Sequence, residues 1–501
     1  MKSTYLSSTL FFFILTWMAA GQDQTDTLTM ARSLRERGKT RKSMTLLKPY
    51  YQAHPDDLYA NWIYAQTAYQ AHRFNLSADL YAKALKLYPT NRYLRLDYAK
   101  TLVDIGDLEK GSEQLQIYTS EDISNPEPWY YMAKIDYWKG EPVQALKLLD
   151  QLLSHVPDYV PAKNLKAQIL QDLAPWVGLN ATYSSDDQPM NLLTPSLKGG
   201  WYRSHLLGLD FQVSVPCSFR DNGDFYAIGF SAGNKFHFSR PNLNLFLNLG
   251  LFNHTTLKSL GWTGDFKIEK TLLKKMSLWV ELQRKPYLST LSSLDIPLFE
   301  NHLSIAGAWN DPERWNGQLS FEGSTFSSDN NYILAFCGWV FVPSFHAGRF
   351  DFHFGYGYNY STSKESRFTN EMPHTDIIAR WNTGMEIKGI YNPYFTPNNQ
   401  QIHSLLGIIH FKAARTVMLT LNLNCGIYGT TQYPYLYLEK DPYDSIFINR
   451  AFEKETFFPV NINAGFTWNM LKNLDILADL NYNATIYYNT INFGLTVRKR
   501  L

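Results

Sequence analysis

Two acidic side chains near the end of the sequence are candidates for chemistry. Asp475 and Asp479 lie in a segment in which apolar and polar residues alternate, and both occupy its polar face. A pair of carboxyl groups can serve as general acid and general base, so acid–base catalysis is one interpretation. The other interpretation is that both carboxylates belong to an extended polar wall that performs no reaction.

The recurrence of the pattern favours the polar wall. Residues 276–283 and 416–425, like residues 474–486, alternate between apolar and polar side chains. The predicted wall residues are Trp279, Glu281, Gln283, Asn422, Asn424, Asp475, Asp479 and Asn481. The sequence has no glycine-rich phosphate loop, His-Glu-x-x-His or Cys-x-x-Cys motif. We therefore predict no catalytic residue, no metal site and no cofactor.

Alternation with a period of two residues predicts β-strands with one apolar and one polar face. The segments run to about ten residues or more, which is longer than the average strand of a soluble sandwich. Long strands with apolar outer faces and polar inner faces are typical of a β-barrel in a lipid bilayer. Residues 174–501 are therefore predicted to form an outer-membrane barrel of about 16 strands. Tyrosines near strand ends, such as Tyr356, Tyr482 and Tyr487, would form its interfacial girdle.

A repeat of 34 residues occupies the first third of the chain. Its columns contain small residues and prolines, namely Ala31, Ala65, Ala99, Ala133, Ala167, Pro55, Pro89 and Pro157. This period is that of the tetratricopeptide repeat (TPR), a pair of antiparallel helices. Small residues let the two helices approach closely, and proline ends the second helix. Residues 22–173 are therefore predicted to form an α-solenoid of about four repeats plus a closing helix, with a concave face for protein partners.

The N-terminus predicts export of the chain. Lys2 precedes an apolar stretch over residues 10–20, and Ala19-Ala20-Gly21 offers small residues for cleavage before Gln22. The stretch is too short to span about 30 Å of hydrocarbon, so residues 1–21 are predicted to be a signal peptide. A net charge of +2 gives no indication of a nucleic-acid partner.

Three short runs resemble the exopolysaccharide exporters of the bacterial outer membrane, of the cellulose synthase operon protein C type. Arg284-Lys285-Pro286 with residues 289–293 is similar to an Arg-x-Pro…Ser-Leu-Leu-Ser segment of that family. Residues 306–317 are similar to its Ala-Gly…Asp-Pro…Trp-Gly-Gly run. The turn formed by Tyr394, Phe395, Thr396 and Pro397 resembles its Gly-Tyr-Phe-Ser-Pro-Gln turn. The resemblance implies a polysaccharide pore with a repeat scaffold in the periplasm.

The resulting hypothesis is a non-enzymatic outer-membrane pore for an exopolysaccharide, embedded in outer-membrane lipid. Its solenoid would bind periplasmic or inner-membrane protein partners. One alternative is a barrel that only anchors the solenoid, as a docking protein for envelope assembly without transport. A second alternative is an outer-membrane barrel enzyme that acts on lipid or glycan.

Overall fold

The structure is a computed structural model that describes residues 27–121, 124–187, 190–204, 207–220, 223–238, 243–273, 275–311, 315–371, 374–379, 387–440, 442–443, 445–471 and 473–501. The predicted signal peptide lies outside these residues. The chain divides into two compact units between Ile169 and Leu170. The first is a TPR α-solenoid and the second is a transmembrane antiparallel β-barrel, as predicted.

The described part of the solenoid contains four helix pairs and a closing helix. The helices are α1 (27–36), α2 (Thr40–Ala53), α3 (Leu58–Gln70), α4 (Phe74–Leu87), α5 (Arg92–Asp104), α6 (Leu108–Glu121), α7 (Pro126–Trp138), α8 (Pro142–His155) and α9 (Val160–Leu173). The odd-numbered helix of each pair is the first helix of a repeat. The predicted boundary after residue 173 falls at the end of α9.

The small-residue columns lie where the two helices of a repeat touch. Ala31 and Ala65 are fully buried, and the carbonyl oxygen of each accepts a hydrogen bond from a buried serine hydroxyl on the second helix. These donors are Ser43 and Ser77, at 2.7 and 2.8 Å. In the third repeat Gly111 takes the serine position, where an added Cβ would lie 2.9 Å from Val103 Cγ2. Small side chains therefore set the distance between the helices.

The turns of the solenoid follow the same period. Gly38, Gly106 and Gly140 have positive φ angles between the helices of their repeats, and His72 adopts the same backbone at φ 58°. Pro55, Pro89 and Pro157 each follow the end of a second helix by two residues. A further column escaped the sequence reading. The side chains of Asp57, Asn91 and Asn125 cap the N-termini of α3, α5 and α7 by accepting backbone N–H bonds.

Ala167 occupies the alanine column but is exposed. The reason is that no second helix follows α9, which closes the solenoid. Ala99 and Ala133, in contrast, are fully buried. The column therefore marks a helix contact only where the repeat is complete.

Replacing Ala99 by Leu should destabilise the solenoid by about 1–3 kcal/mol, because the larger side chain has no space beside Gly111. Thermal unfolding of the full chain in detergent, followed by circular dichroism at 222 nm, would measure this. Ala167→Leu is the matched control, from the same column on the exposed face of α9. Equal effects of the two substitutions would contradict the role given to the column.

Asp136 on α7 supplies a pH-dependent prediction. Burial raises the pKa of its carboxyl group, and the charge of Glu141 raises it further. Because the folded pKa lies above the unfolded value near 4, ionisation costs stability. Stability of the solenoid should therefore increase as the pH falls from neutral through the folded pKa.

Asp136→Asn should stabilise the helical unit at pH 7 by less than about 1 kcal/mol, since solvent screens the half-buried carboxylate. The advantage should shrink as the pH approaches 4. Melting curves at 222 nm between pH 4 and 8 would show it. Asp158→Asn, whose side chain is fully exposed, should give no such trend. A constant difference between Asp136→Asn and the unsubstituted protein across this range would refute the explanation.

The barrel unit contains 22 described strands. They are β1 (Trp176–Asp186), β2 (Asn191–Ser204), β3 (Leu207–Ser214), β4 (Cys217–Ser218), β5 (Phe225–Tyr226), β6 (Ile228–Phe238), β7 (Leu243–His254), β8 (Ser259–Leu273), β9 (Met276–Pro286), β10 (Phe299–Asn310), β11 (Asn316–Phe326), β12 (Tyr332–Phe341), β13 (Phe345–Ala347), β14 (Phe350–Ser363), β15 (Phe368–Asn370), β16 (Gly389–Tyr391), β17 (Gln400–Ala414), β18 (Val417–Lys440), β19 (Ile446–Phe457), β20 (Val460–Leu471), β21 (Leu474–Ala484) and β22 (Asn489–Arg500). Two short helices also occur, a 3-10 helix (Leu291–Leu294) and α10 (His374–Ala379).

Sixteen of these strands form a closed antiparallel wall, as predicted. All described strands except β4, β5, β13, β15, β16 and β19 contribute. The ladder closes where β1 pairs with β22 over its whole length, from Trp176 opposite Arg500 to Asp186 opposite Thr490. Closure satisfies the backbone hydrogen bonds of both edge strands, which a sheet in lipid requires.

The two ends of the barrel differ in their connections. At one end, here called the terminal end, the backbone N–H of Leu501 donates to the carbonyl oxygen of Pro175 at 2.7 Å. The opposite end, here called the loop end, carries the long connections 287–298 and 364–399. It also carries a hairpin, because β18 continues past the wall and pairs with β19.

The outer face of the wall is apolar and exposed. On β9 the exposed fractions of Leu278, Val280 and Leu282 are 40%, 40% and 49%. Trp279, Glu281 and Gln283 alternate with them on the other face. The same alternation on the other wall strands leaves leucine, isoleucine and aromatic side chains on the outside, which suits contact with lipid.

Among the described helices, none is both long and apolar enough to cross a membrane.

Candidate functional site

The interior face of the wall is the first candidate site, and strand register places its residues. Trp279, Glu281 and Gln283 of β9 lie opposite Ala306, Ser304 and His302 of β10. Lys267 of β8 lies 5.1 Å above the Trp279 ring, and Gln283 donates a hydrogen bond to Glu281. This part of the predicted polar wall is therefore a connected network.

The remaining predicted wall residues lie on another part of the wall, in β18 and β21. Asn422 donates to Asn463 of β20 at 3.1 Å. Asn481 and Asn461 face each other, with reciprocal amide contacts of 3.4 Å. Asn424 lies on the same face of β18 as Asn422, opposite Asn461. The structure thus separates the eight predicted residues into a β9 group and a β18–β21 group.

Asp475 and Asp479 do not act as a pair. Asp475 is 3% exposed and lies 2.8 Å from Arg498 and 2.9 Å from Arg500 on β22. Asp479 is exposed on the same strand, beside Gly494. Because Asp475 is ion-paired with two arginines and no contact joins it to Asp479, an acid–base role shared by the two carboxyl groups has no support in the geometry.

The interior face carries both acidic and basic side chains. By register, the acidic ones among the described residues are Asp186, Asp210, Asp265, Glu269, Glu281, Glu300, Glu322, Asp351, Asp475 and Asp479. The basic ones are Lys198, Lys235, Lys267, Lys285, Lys412, Arg498 and Arg500. Several are already paired, such as Lys235 with Asp210 at 3.2 Å and Lys285 with Glu300 at 3.5 Å. The wall is therefore strongly polar and carries charges of both signs.

The wall also carries shallow cavities. One of about 430 Å³ is bordered by Tyr202, Phe246 and Glu281. A second, of about 330 Å³ on the opposite group of strands, is bordered by Trp339, Asn424 and other polar side chains. Aromatic rings beside amides and carboxylates can stack on a sugar and bind its hydroxyl groups.

The loop-end mouth is the second candidate site, and the predicted motif turn lies there. Tyr394 is fully buried, and its ring stacks on Phe326 with centroids 3.5 Å apart. The Tyr394 hydroxyl donates to the Asp329 carboxylate at 2.8 Å. Arg367 holds the same carboxylate at 2.8 Å. The turn is therefore a structural anchor between three connections.

Neighbouring groups complete this anchor. Thr396 is 1% exposed, and its hydroxyl oxygen accepts from the backbone N–H of Arg367 at 2.9 Å. The Thr290 hydroxyl donates to the carbonyl oxygen of Pro393. Burial is the main cause that raises the pKa of the phenols of Tyr287 and Tyr394. Both rings thus stay neutral hydrogen-bonding groups near pH 7.

The three runs that resemble the exporter family do not all meet. The connection after Pro286 contacts the motif turn, since Tyr287 lies 6.3 Å from the Tyr394 ring. Residues 306–317 run to the terminal end, where Lys275 pairs with Asp311 at 2.6 Å. Strand β10 crosses the wall between them, so runs that are adjacent in sequence lie at opposite ends of the barrel.

Connections at the loop end pack with strand residues to form a small apolar core at the mouth of the barrel. Its buried members are Met190, Leu192, Phe225, Ala227, Phe252, Leu294 and Phe299. Leu298, Phe326 and Tyr394 form a second cluster. Glycines make room for these rings, since a Cβ at Gly261 would lie 2.1 Å from Phe299. The connections thus narrow the mouth on this side of the barrel.

An aromatic cluster occupies another part of the mouth. Phe395 lies 4.8 Å from Tyr391 and 4.7 Å from Tyr487. Tyr487 also stacks on Tyr433, at 5.7 Å. Burial, the largest cause, raises the pKa of Tyr487 to about 12. The prediction that Tyr487 belongs to an outer girdle is therefore wrong, because the β21–β22 turn carries it into the mouth, whereas Tyr356 and Tyr482 are exposed on the outer face.

The expectation that the sequence lacks a Gly-x-Ser-x-Gly motif is wrong. Residues 229–233 match Gly-x-Ser-x-Gly, with Ser231 at its centre. Ser231 lies in the middle of β6, opposite Gln212 and Gly250. A hydrolase nucleophile of this motif needs a sharp strand-to-helix turn, so the match carries no catalytic meaning here. The described residues also contain no group of three or more side chains placed to hold a metal.

Truncating Tyr394 to Ala should destabilise the anchored connections by about 3–5 kcal/mol, because it removes a buried ring and leaves Asp329 with one partner fewer. Limited proteolysis of the purified chain should then cleave within residues 287–298 and 364–399 much faster. Tyr332→Ala, an exposed tyrosine of the outer face, is the control. Unchanged cleavage in Tyr394→Ala would show that the ring does not anchor the mouth.

Comparison with known proteins supplies fold similarity only. No protein-family model matches the chain, and no curated protein sequence matches it. A solved structure described as "Bacterial polysaccharide outer membrane secretin" is similar over 66% of this chain and 99% of its own, with 10% identity and a TM-score of 0.46. The protein MamA is similar over 30% of this chain and 82% of its own, with 14% identity and a TM-score of 0.28. A thermophilic TPR protein of Thermus thermophilus is similar over 33% of this chain and 90% of its own, with 16% identity and a TM-score of 0.27.

Proposed function

We propose that the chain is an outer-membrane pore that exports a neutral exopolysaccharide. The observation that carries the proposal is the interior wall, which combines amides, charges of both signs and aromatic rings inside a closed barrel of sixteen strands. A barrel of this size encloses a lumen that side chains alone do not fill.

The chemistry of the wall suits a neutral glycan better than a charged polymer. Fixed charges of one sign would attract the opposite polymer and slow its movement. Here Lys235 and Asp210, like Arg498 and Asp475, neutralise each other. Sugar hydroxyls can exchange hydrogen bonds with the paired amides of Asn422, Asn481 and their partners, so a chain can slide without being held tightly.

The solenoid would act as the scaffold of the exporter. We propose that it lies in the periplasm and binds a synthesis complex or other envelope proteins through its concave face. The eight wall residues, in this proposal, line the path of the polymer. The motif turn at Tyr394 does not contact the polymer in this arrangement, since its ring is buried.

The narrowing of the mouth favours one alternative function, in which the barrel only anchors a docking solenoid. The buried clusters that contain Phe299 and Tyr394 fill part of the mouth at the loop end. Electrical recordings separate the two functions. A steady ionic current through the purified full chain in a planar bilayer supports the pore, whereas a barrel without measurable conductance supports the anchor.

The decisive test is deletion of the gene in the bacterium that carries it, with measurement of extracellular polysaccharide. We expect export to fall to background and to return when the unsubstituted chain is supplied on a plasmid. Complementation by Asp475→Leu should be poor, because Arg498 and Arg500 would be left unpaired on the wall. Lys499→Leu, an outer-face substitution on the strand that carries Arg498 and Arg500, should restore export. Unchanged polysaccharide after deletion would refute the export function.

A further inference from the structure

The hairpin formed by the outer part of β18 and by β19 has no role in the wall itself. Residues 417–425 of β18 pair with β20, whereas residues 429–440 pair with β19. The neighbouring strand β17 ends its pairing at Gln401 opposite Thr430. About ten residues of β18 therefore extend past the wall at the loop end, which corresponds to about 30 Å of strand.

One face of this hairpin carries a row of tyrosines. Tyr433, Tyr435 and Tyr437 alternate along β18 and so point to the same side of the hairpin. Tyr435 and Tyr437 are 44% and 39% exposed, and their ring centroids lie 6.2 Å apart. Phe447, 37% exposed, lies across from Glu439 on the same face.

The row begins inside the mouth. Tyr433 stacks on Tyr487 at 5.7 Å with an interplanar angle of 14°. Thr431, on the same face of β18, shares a hydrogen bond of 2.6 Å with the Tyr487 hydroxyl. The aromatic cluster of the mouth thus continues outward without interruption along the hairpin.

Polar groups on this face select the ligand. Register places Asn449, Glu453 and Glu455 of β19 beside the tyrosine row, and Asn449 donates to Glu439. The basic residues Arg450 and Lys454 belong to the opposite face. Carboxylates accept hydrogen bonds from hydroxyls, and an amide can both donate and accept them. The carboxylates repel an anionic polymer.

The opposite face of the hairpin packs against a connection of the barrel. Arg450 donates to the carbonyl oxygens of Ser366 and Phe368, both at 2.8 Å. Pro434 on that face is buried. The connection 364–371 therefore supports the hairpin, and its Phe368 ring also lies 6.3 Å from that of Tyr433. Tyr435 and Tyr437, farther out on the row, stay exposed.

We infer that the tyrosine face of the hairpin, made of Tyr433, Tyr435, Tyr437, Phe447 and Asn449, is a binding platform for an uncharged glycan chain outside the barrel. Successive side chains on one face of a strand are about 6.8 Å apart. Flat sugar rings stack on such aromatic faces, and the flanking carboxylates and amide bind the hydroxyls at the ring edge. This inference rests on the proposed export of a neutral polysaccharide, and it assigns the platform to the polymer as it leaves the mouth.

The test is binding of cellohexaose, a neutral six-sugar probe, to the purified full chain in detergent. Tyrosine fluorescence or calorimetric titration should show saturable binding to the unsubstituted protein. The double substitution Tyr435→Ala with Tyr437→Ala should raise Kd by about tenfold or more, the size of effect that loss of aromatic stacking gives. The anionic hexamer of galacturonic acid should bind more weakly than cellohexaose.

Phe452→Ala is the matched control, because Phe452 is an exposed aromatic residue, 42% exposed, on the opposite face of the same hairpin. It should leave the Kd unchanged. Resistance of the hairpin to protease in all variants would show that it stays folded. Absence of cellohexaose binding, an equal loss with Phe452→Ala, or a change of oligomeric state with unchanged sugar binding would each overturn the inference, the last by showing a contact between copies of the chain.

The outcomes also separate this inference from the proposed function. Suppose that gene deletion abolishes polysaccharide export, whereas the chain with Tyr435→Ala and Tyr437→Ala exports normally and binds cellohexaose with unchanged Kd. This result would support the pore function and refute the binding platform. If the amount of extracellular polysaccharide is unchanged after gene deletion, the proposed pore function is refuted, whatever the sugar titration shows.

Discussion

Closure of the strand ladder between β1 and β22 is the constraint on which the barrel depends. A sheet in lipid cannot leave a row of N–H and C=O groups without partners, since each would cost several kcal/mol. The seam satisfies this along the whole of β1, from Trp176 with Arg500 to Asp186 with Thr490. Side chains reinforce it on the interior, where Asn180 of β1 donates to Thr496 of β22 at 2.8 Å. Because the closed ladder keeps lipid outside the barrel, the polar side chains of the interior wall are separated from lipid.

The sequence predicted the architecture because its signals are local and periodic. The spacing of Ala65 and Ala99 identified the helix pairs, and the alternation around Leu278 and Glu281 assigned the two faces of β9. The 34-residue period is set within one helix pair, and the two-residue period is set within one strand. The capping residues Asp57, Asn91 and Asn125 have the same 34-residue spacing, so the polar positions of the repeat carry the same signal as the small residues.

Partners across strands and the course of the connections could not be predicted in the same way. Asp475 pairs with Arg498 only because the β21–β22 turn sets the register of the two strands. Alternation within one strand does not determine that register. Tyr487 was misplaced for a related reason, since a turn obeys no two-residue period. The burial of Tyr394 depends on Phe326 and Asp329, which lie more than sixty residues earlier in the chain.

The continuity of β18 has a mechanical consequence. The same strand serves as a wall strand through its pairing with β17 and β20, and as the hairpin through its pairing with β19. A pulling force on a molecule bound to the hairpin therefore acts on these hydrogen-bond ladders along the strand axis. Antiparallel hydrogen bonds run perpendicular to that axis, so many bonds share the shear at once and none must open first. The protruding element is thus braced against tension by the membrane-embedded part of its own backbone.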